Sequence, residues 1–118
     1  MSASTTPVPP PVPPTDGKAA LASLQDELDG VTLYTALAEL EQNPQLAEVY
    51  RRLAQVEARH AERWSAQLTA AGVAVPAYRP SWRTRLLIAL ARRFGVGFVL
   101  PSITAREQAD AGKYQGIP

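Results

Sequence analysis

A glutamate and a histidine interrupt the apolar stripe of the segment "VEARHAERW", at Glu57 and His60. At about 100° per residue, Glu57 lies within roughly 20° of Leu46 and Trp64 around a helix, and His60 lies about 60° away. A glutamate followed three residues later by a histidine places a carboxylate and an imidazole on one face, one turn apart. Helical bundles use this spacing to offer both groups to one metal centre, so the pair predicts metal binding.

A third ligand candidate, Glu27, lies on the preceding helix. Glu27 stands 16 residues before Asn43, and Glu57 stands 14 residues after it. If Asn43 marks the turn of a helical hairpin, the two glutamates lie about 24 and 21 Å from that turn, and His60 lies near 26 Å. Two carboxylates and an imidazole at one level suit a hard or borderline metal ion.

The elements that must position these residues are two long helices. Leucines and small residues recur at helical spacing from about residue 18 to 42, with a second apolar flank that predicts neighbours on both sides. Asn43 is a typical N-cap, and Pro44 suits the first position of a second helix that ends before Gly72. Because the connection is short, the two helices must form an antiparallel hairpin.

Two further helices are predicted after a proline-containing linker. Ser81 can cap a third segment, "WRTRLLIALARRFG", which is amphipathic and basic and ends near Gly95. After Pro101, Ser102 can cap a last helix about half as long as the first two. The fold class is therefore all-α, a helical hairpin followed by a shorter amphipathic helix and the start of another helix.

Composition limits the remaining choices. Residues 1–17 carry six prolines and predict a disordered or polyproline II tail, which leaves residues 18–118 as the folded domain. A net charge of +1 argues against a general nucleic-acid binder. The absence of cysteine excludes thiolate ligands and cysteine nucleophiles, and there is no apolar run long enough for a membrane span.

A short internal echo suggests a repeat. Tyr34 follows Glu27 by seven residues, and Tyr114 follows Glu107 by the same interval. On this basis the last helix is predicted to be a second copy of the first, beginning the other half of a two-fold pseudo-repeat. Tyr34 is a candidate for a hydrogen bond to a ligand carboxylate, the alternative being a core aromatic residue. Glu107 has the alternative of a surface position.

The segments "DELDGVTLYTALAE" and "LAQVEARHAERWSAQL" resemble the ferritin-like, rubrerythrin-type di-iron proteins. The resemblance implies a four-helix bundle in which Glu27 is a lone carboxylate ligand and Glu57 with His60 forms the E-x-x-H pair. Glu107 would be the second lone carboxylate. It also implies iron as the metal, with manganese as the alternative, and a role in iron oxidation, storage or delivery. A ferroxidase-like activity is implied only if a complete di-iron site forms.

The downstream segment "RPSWRTRLLIALARRFGVGFVLPSITAREQADAGKY" resembles the connection in rubrerythrin-like domains fused to vacuolar-iron-transporter-like membrane proteins. This implies delivery of iron to a linked transporter domain, in the cytoplasm or at the cytoplasmic face of a membrane. A complete domain of this type has a fourth helix with a second E-x-x-H, which this sequence lacks. We therefore expect an incomplete domain, or a homodimer that offers four carboxylates and two histidines.

A second hypothesis comes from a different functional class. The chain would be a metal-free helical interaction module, in which Glu57 and His60 form a structural polar pair. An isolated E-x-x-H is common in helices, and a histidine can satisfy a core carboxylate without a metal ion. Under this hypothesis, metal would leave the melting temperature unchanged.

Overall fold

A computed structural model describes the backbone of residues 17–115 and the side chains of residues 17–105. All regular structure in this part of the chain is helical: α1 (Gly17–Leu40), α2 (Pro44–Ala70), α3 (Trp82–Phe94) and α4 (Val96–Gln115). The predicted all-α class is confirmed. None of the described helices is long and apolar enough to cross a membrane. The predicted proline-rich tail, apart from Gly17 at the start of α1, lies outside the described residues.

The first two helices form the predicted antiparallel hairpin. Near its open end, Leu24 of α1 clusters with Ala61 and Leu68 of α2. Near the turn, Leu37 of α1 clusters with Tyr50. Because the start of α1 meets the end of α2, the helices run in opposite directions. Leu37 and Leu68 are fully buried, and each such leucine contributes roughly 2 kcal/mol through removal of apolar surface from water.

Local chemistry defines both ends of α2. The Asn43 side chain accepts hydrogen bonds from the backbone N–H groups of Gln45 and Leu46, at 2.9 and 3.2 Å, which satisfies two of the unpaired donors of the first turn. At the other end, Gly72 adopts a left-handed conformation with φ of 77°. Val73 N–H then donates to the Leu68 carbonyl at 2.9 Å, as in a Schellman motif. The predicted start and stop are thus confirmed.

The later helices cover the side of α1 that faces away from α2. Their buried residues join α1 in one core near the turn of the hairpin, so α1 has neighbours on both of its apolar flanks. The α1 contributors include Leu33 and Leu37, and the residues from α3 and α4 are Leu87, Ile88, Ala91, Val96, Val99 and Ile103.

The last helix differs from its prediction. It begins at Val96 and not after Ser102, and its 20 residues approach the 24 of α1. Val96, Val99 and Ile103 lie on one face and are all buried, so packing favours a helix through this segment. Pro101 lies in the second turn and removes one intrahelical hydrogen bond. The burial of the apolar face offsets that loss.

The apolar side predicted for α2 is only partly covered. Its buried residues are Ala47, Tyr50, Ala54, Ala61 and Leu68. Beside them lies a row that stays 36 to 46% exposed, which we name the α2 stripe: Leu46, Val49, Leu53 and Val56. The stripe remains uncovered because α1 packs on one side of α2, while α3 and α4 lie on the other side of α1.

A buried carboxylate holds the linker that leads to α3. Asp29, which is 2% exposed, accepts hydrogen bonds at Oδ1 from the Tyr78 hydroxyl (2.8 Å), the Ser81 N–H (3.1 Å) and the Gln25 amide (3.2 Å). Since Tyr78 donates to Asp29, the Thr32 hydroxyl at 2.9 Å donates to Tyr78. These bonds fix the linker on α1 and the start of α3, a role that the sequence analysis missed.

Replacement of this carboxylate should weaken the whole domain. We expect Asp29→Ala to lower the free energy of unfolding by about 3 kcal/mol, because the partly buried donors of Tyr78 and Ser81 lose their acceptor. Urea denaturation followed by circular dichroism measures the loss. Glu39→Ala, at an exposed position of the same helix, is the control and should change stability by less than about 0.5 kcal/mol. A loss below 1 kcal/mol for Asp29→Ala would contradict this role.

Candidate metal centre

Three side chains converge in the interior of the hairpin. Glu27 projects from the middle of α1 toward α2 and is 7% exposed. Glu57 and His60 project from α2 and are partly buried. The antiparallel register set by the short turn brings these residues to the same level, so that a carboxylate from α1 meets a carboxylate and an imidazole from α2.

The distances within this group are short. His60 Nδ1 lies 3.0 Å from Glu27 Oε2 and 3.7 Å from Glu57 Oε2. One ligand atom from each residue lies within 4.8 Å of the other two. Because a carboxylate can only accept, the Nδ1–H of His60 is the donor to Glu27. Two carboxylates thus face one imidazole N–H, an arrangement that favours a cation between them.

The group opens to solvent on one side. Side-chain exposure rises from 9% for Glu27 to 17% for Glu57 and 42% for His60. His60 is therefore the most accessible of the three ligand candidates, and Glu27 is the least accessible. Two carboxylate oxygens and an imidazole nitrogen suit Fe(II), Mn(II) and other divalent ions, so the donor set fits a metal site.

Gly30 makes room for Glu57. A methyl group at Gly30 would lie 3.1 Å from three atoms of the Glu57 side chain, including one carboxylate oxygen. A glycine inside a helix costs roughly 0.5–1 kcal/mol relative to alanine. Its presence here lets the Glu57 carboxylate approach the backbone of α1 closely. The sequence analysis did not single out this residue, although a lone glycine in a helical pattern is a known sign of close packing.

The remaining site predictions concern Tyr34 and Glu107. Tyr34 is 4% exposed and belongs to the core cluster near the turn. Trp64 is partly buried against the cluster of Leu68 at the open end of the hairpin. Glu107 lies on α4, but its side chain is outside the described residues. The roles predicted for Tyr34 as a hydrogen-bond partner and for Glu107 as a ligand, and the echo at Tyr114, stay predictions.

Comparison with protein-family models identifies a relationship that covers the hairpin. A protein-family model described as Rubrerythrin matches residues 20–79, just over half of the 118 residues. The matched range spans most of α1, all of α2 and the first part of the linker, and it includes Glu27, Glu57 and His60. No curated protein and no solved structure matches the chain.

The close approach at Gly30 yields a prediction that separates folding from metal affinity. Gly30→Ala should raise the metal-free free energy of unfolding by up to about 1 kcal/mol, because alanine favours the helix. It should weaken Mn(II) binding by roughly tenfold, because the Glu57 carboxylate must shift. Urea denaturation and isothermal titration calorimetry measure the two effects.

Gly97→Ala is the matched control, since a methyl group there would meet no atom within 4 Å. It should leave Mn(II) affinity unchanged. Equal affinities for the wild type and Gly30→Ala would show that the position of Glu57 does not matter for binding.

Proposed function

Since the chain belongs to the rubrerythrin family, whose model covers both helices of the hairpin, we propose that it binds iron through Glu27, Glu57 and His60. The observation that carries the proposal is the convergence of two carboxylates and an imidazole within 4.8 Å inside the hairpin. Manganese is the alternative metal, because its Mn(II) ion accepts the same oxygen and nitrogen ligands.

Each residue has a separate part in binding. Glu27 is the most buried of the three and sits at the inner end of the site. Glu57 is positioned by the space above Gly30. His60 is the most exposed of the three, and its Nδ1 would bind the ion with the imidazole proton carried on Nε2. Iron held here supplies one-electron redox chemistry with oxygen or peroxide.

We further propose that a second copy of the chain completes the centre. One chain offers three ligand side chains, whereas a carboxylate-bridged di-iron centre of a helical bundle uses four carboxylates and two histidines. Two copies supply that set. The α2 stripe supports this arrangement, because its exposed apolar residues share an arc of α2 with the half-exposed His60. A partner hairpin on the stripe would bury it and bring two half-sites together.

The use of the bound iron follows from the same family. With a complete centre, a ferroxidase-like oxidation of Fe(II) is the proposed activity. Storage, or delivery to a linked membrane transporter domain, is the proposed alternative use, which rests on the resemblance of the segment that begins at Arg79. We propose the cytoplasm, or the cytoplasmic face of a membrane, as the location. No role in nucleic-acid binding is proposed.

One observation favours the metal-free alternative. The hydrogen bond of 3.0 Å between His60 and Glu27 satisfies the buried carboxylate without an ion. In that case the hairpin would be an interaction module, and the group at Glu27 would be structural. The two hypotheses differ in whether a metal ion stabilises the fold, since an ion that binds only the folded state raises the melting temperature.

Metal binding itself can be tested by titration. Anaerobic titration of the purified chain with Fe(II) should saturate at about one ion per chain, or two per dimer, and should raise the melting temperature. Glu57→Ala and His60→Ala should each abolish saturable binding, because each removes one of three ligands. Isothermal titration calorimetry and thermal melts measure both effects.

Glu62→Ala is the matched control for these variants. Glu62 is exposed and lies on the same helix two residues beyond His60, so its loss should leave the titration unchanged. A wild-type chain without saturable binding, and with the same melting temperature in the presence and absence of metal, would favour the structural pair.

The dimer leads to a separate prediction. Leu53→Lys introduces a charge in the α2 stripe, where the native side chain is 37% exposed, and should convert a metal-loaded dimer to a monomer. Analytical ultracentrifugation measures the change. Leu86→Lys is the control, because Leu86 is also exposed, at 47%, but lies on α3. A wild type that is monomeric with saturating iron would refute the dimer and leave iron binding by one chain intact.

A further inference from the structure

The outer side of α3 combines exposed apolar residues with arginines. Its inner side packs on the core through Thr84, Leu87, Ile88 and Ala91. On the opposite side, Trp82 is 70% and Leu86 is 47% exposed. At about 100° per residue, Ala89 and Arg93 continue the row of Trp82 and Leu86. We name this row, with the arginines beside it, the outer α3 face.

Arginines flank this row on both sides. Arg83 lies on one side, and Arg85 and Arg92 lie on the other, all exposed. Beside this face, at the end of α3 on the side of Arg83, Phe94 lies near Phe98 of α4; the two rings are 4.9 Å apart, and the residues are 56% and 58% exposed.

The guanidinium of Arg93 lies 5.1 Å from the centre of the Phe94 ring, a cation–π contact. These groups therefore form one continuous surface in which aromatic and aliphatic side chains alternate with positive charge.

Charge is unevenly distributed along the chain. Residues 63–106 contain seven arginines and no acidic residue, whereas residues 1–62 contain nine acidic residues and four basic ones. The small net charge of +1 is therefore the sum of an acidic segment, residues 1–62, and a basic remainder. Within the described side chains, no acidic group of the same segment is available to neutralise the arginines of the outer α3 face.

We propose that the outer α3 face docks on an anionic lipid surface. Tryptophan, phenylalanine and leucine side chains of such a face enter the boundary between headgroups and acyl chains, while arginines contact the anionic headgroups. The inner side of α3 already packs on the core, so docking requires no unfolding. The helix lies on the membrane surface, since no described helix is long and apolar enough to cross it.

The centre of the face favours lipid over nucleic acid. A surface that reads a phosphate backbone presents polar donors along its middle, whereas Trp82, Leu86 and Ala89 lie along the centre line of the outer α3 face. Leu86 and Ala89 can neither donate a hydrogen bond nor stack on a base. Their exposure is explained when they enter an apolar phase and the arginines stay at its charged boundary.

Vesicle flotation of the full chain tests this proposal. The chain should float with phosphatidylcholine vesicles that contain about 30% phosphatidylserine and should stay unbound with pure phosphatidylcholine. Binding should weaken as salt is raised, because the arginine contribution is screened. In a Trp64→Phe background, Trp82 is the remaining tryptophan, and its fluorescence should shift to shorter wavelength on binding.

Two pairs of charge reversals distinguish the effect of the outer α3 face on lipid binding from the effect of net charge. Arg85→Glu with Arg92→Glu should lower the partition coefficient at least about tenfold. Arg52→Glu with Arg59→Glu makes the same change in net charge on exposed positions of α2 and should change partitioning less than about twofold. Trp82→Ala with Leu86→Ala should also reduce partitioning to PS-containing vesicles.

Three results would overturn the proposal. They are equal binding to neutral and anionic vesicles, equal losses from the two pairs of arginine reversals, and binding to nucleic acid without binding to vesicles. Lipid binding by the outer α3 face does not depend on the metal site. Glu57→Ala should therefore float with anionic vesicles as the wild type does.

Discussion

The burial of the Glu27 carboxylate between α1 and α2 is the constraint on which the rest of the hairpin depends. A carboxylate removed from water is costly unless a donor or a cation compensates it. The compensating group comes from the neighbouring helix at the same level, where His60 Nδ1 lies 3.0 Å away. The N-cap at Asn43 sets where α2 begins and therefore sets this level, and Gly30 leaves the space that Glu57 needs beside it.

Asp29, a second buried carboxylate two residues after Glu27, has a structural role and provides a contrast. Asp29 accepts hydrogen bonds from three donors, and its bonds hold the linker and the start of α3. Glu27 instead faces an imidazole that a second carboxylate also approaches. Two carboxylates close to one imidazole are the arrangement that a bound cation would stabilise.

The molecule exposes two apolar surfaces of different character. The α2 stripe is aliphatic and runs beside the half-exposed His60, so it suits a second hairpin with the same geometry. The outer α3 face is aromatic and is flanked by arginines, so it suits a charged interface. The two surfaces lie on different helices, and α1 packs between α2 and α3. Docking on one surface therefore leaves the other available, and a metal site could operate beside a lipid surface.

The sequence by itself determined the hairpin and the level at which Glu27, Glu57 and His60 meet, because helix rise converts residue counts into distances and the caps at Asn43 and Gly72 act locally. Tertiary structure decided the rest. α4 begins at Val96 because its apolar face packs against α3, in a core that α1 shares, despite Pro101. The role of Asp29 depends on partners about 50 residues away, at Tyr78 and Ser81. Periodicity assigns a residue to a face of its helix, but only the packed neighbours decide whether that face is covered, as the α2 stripe shows.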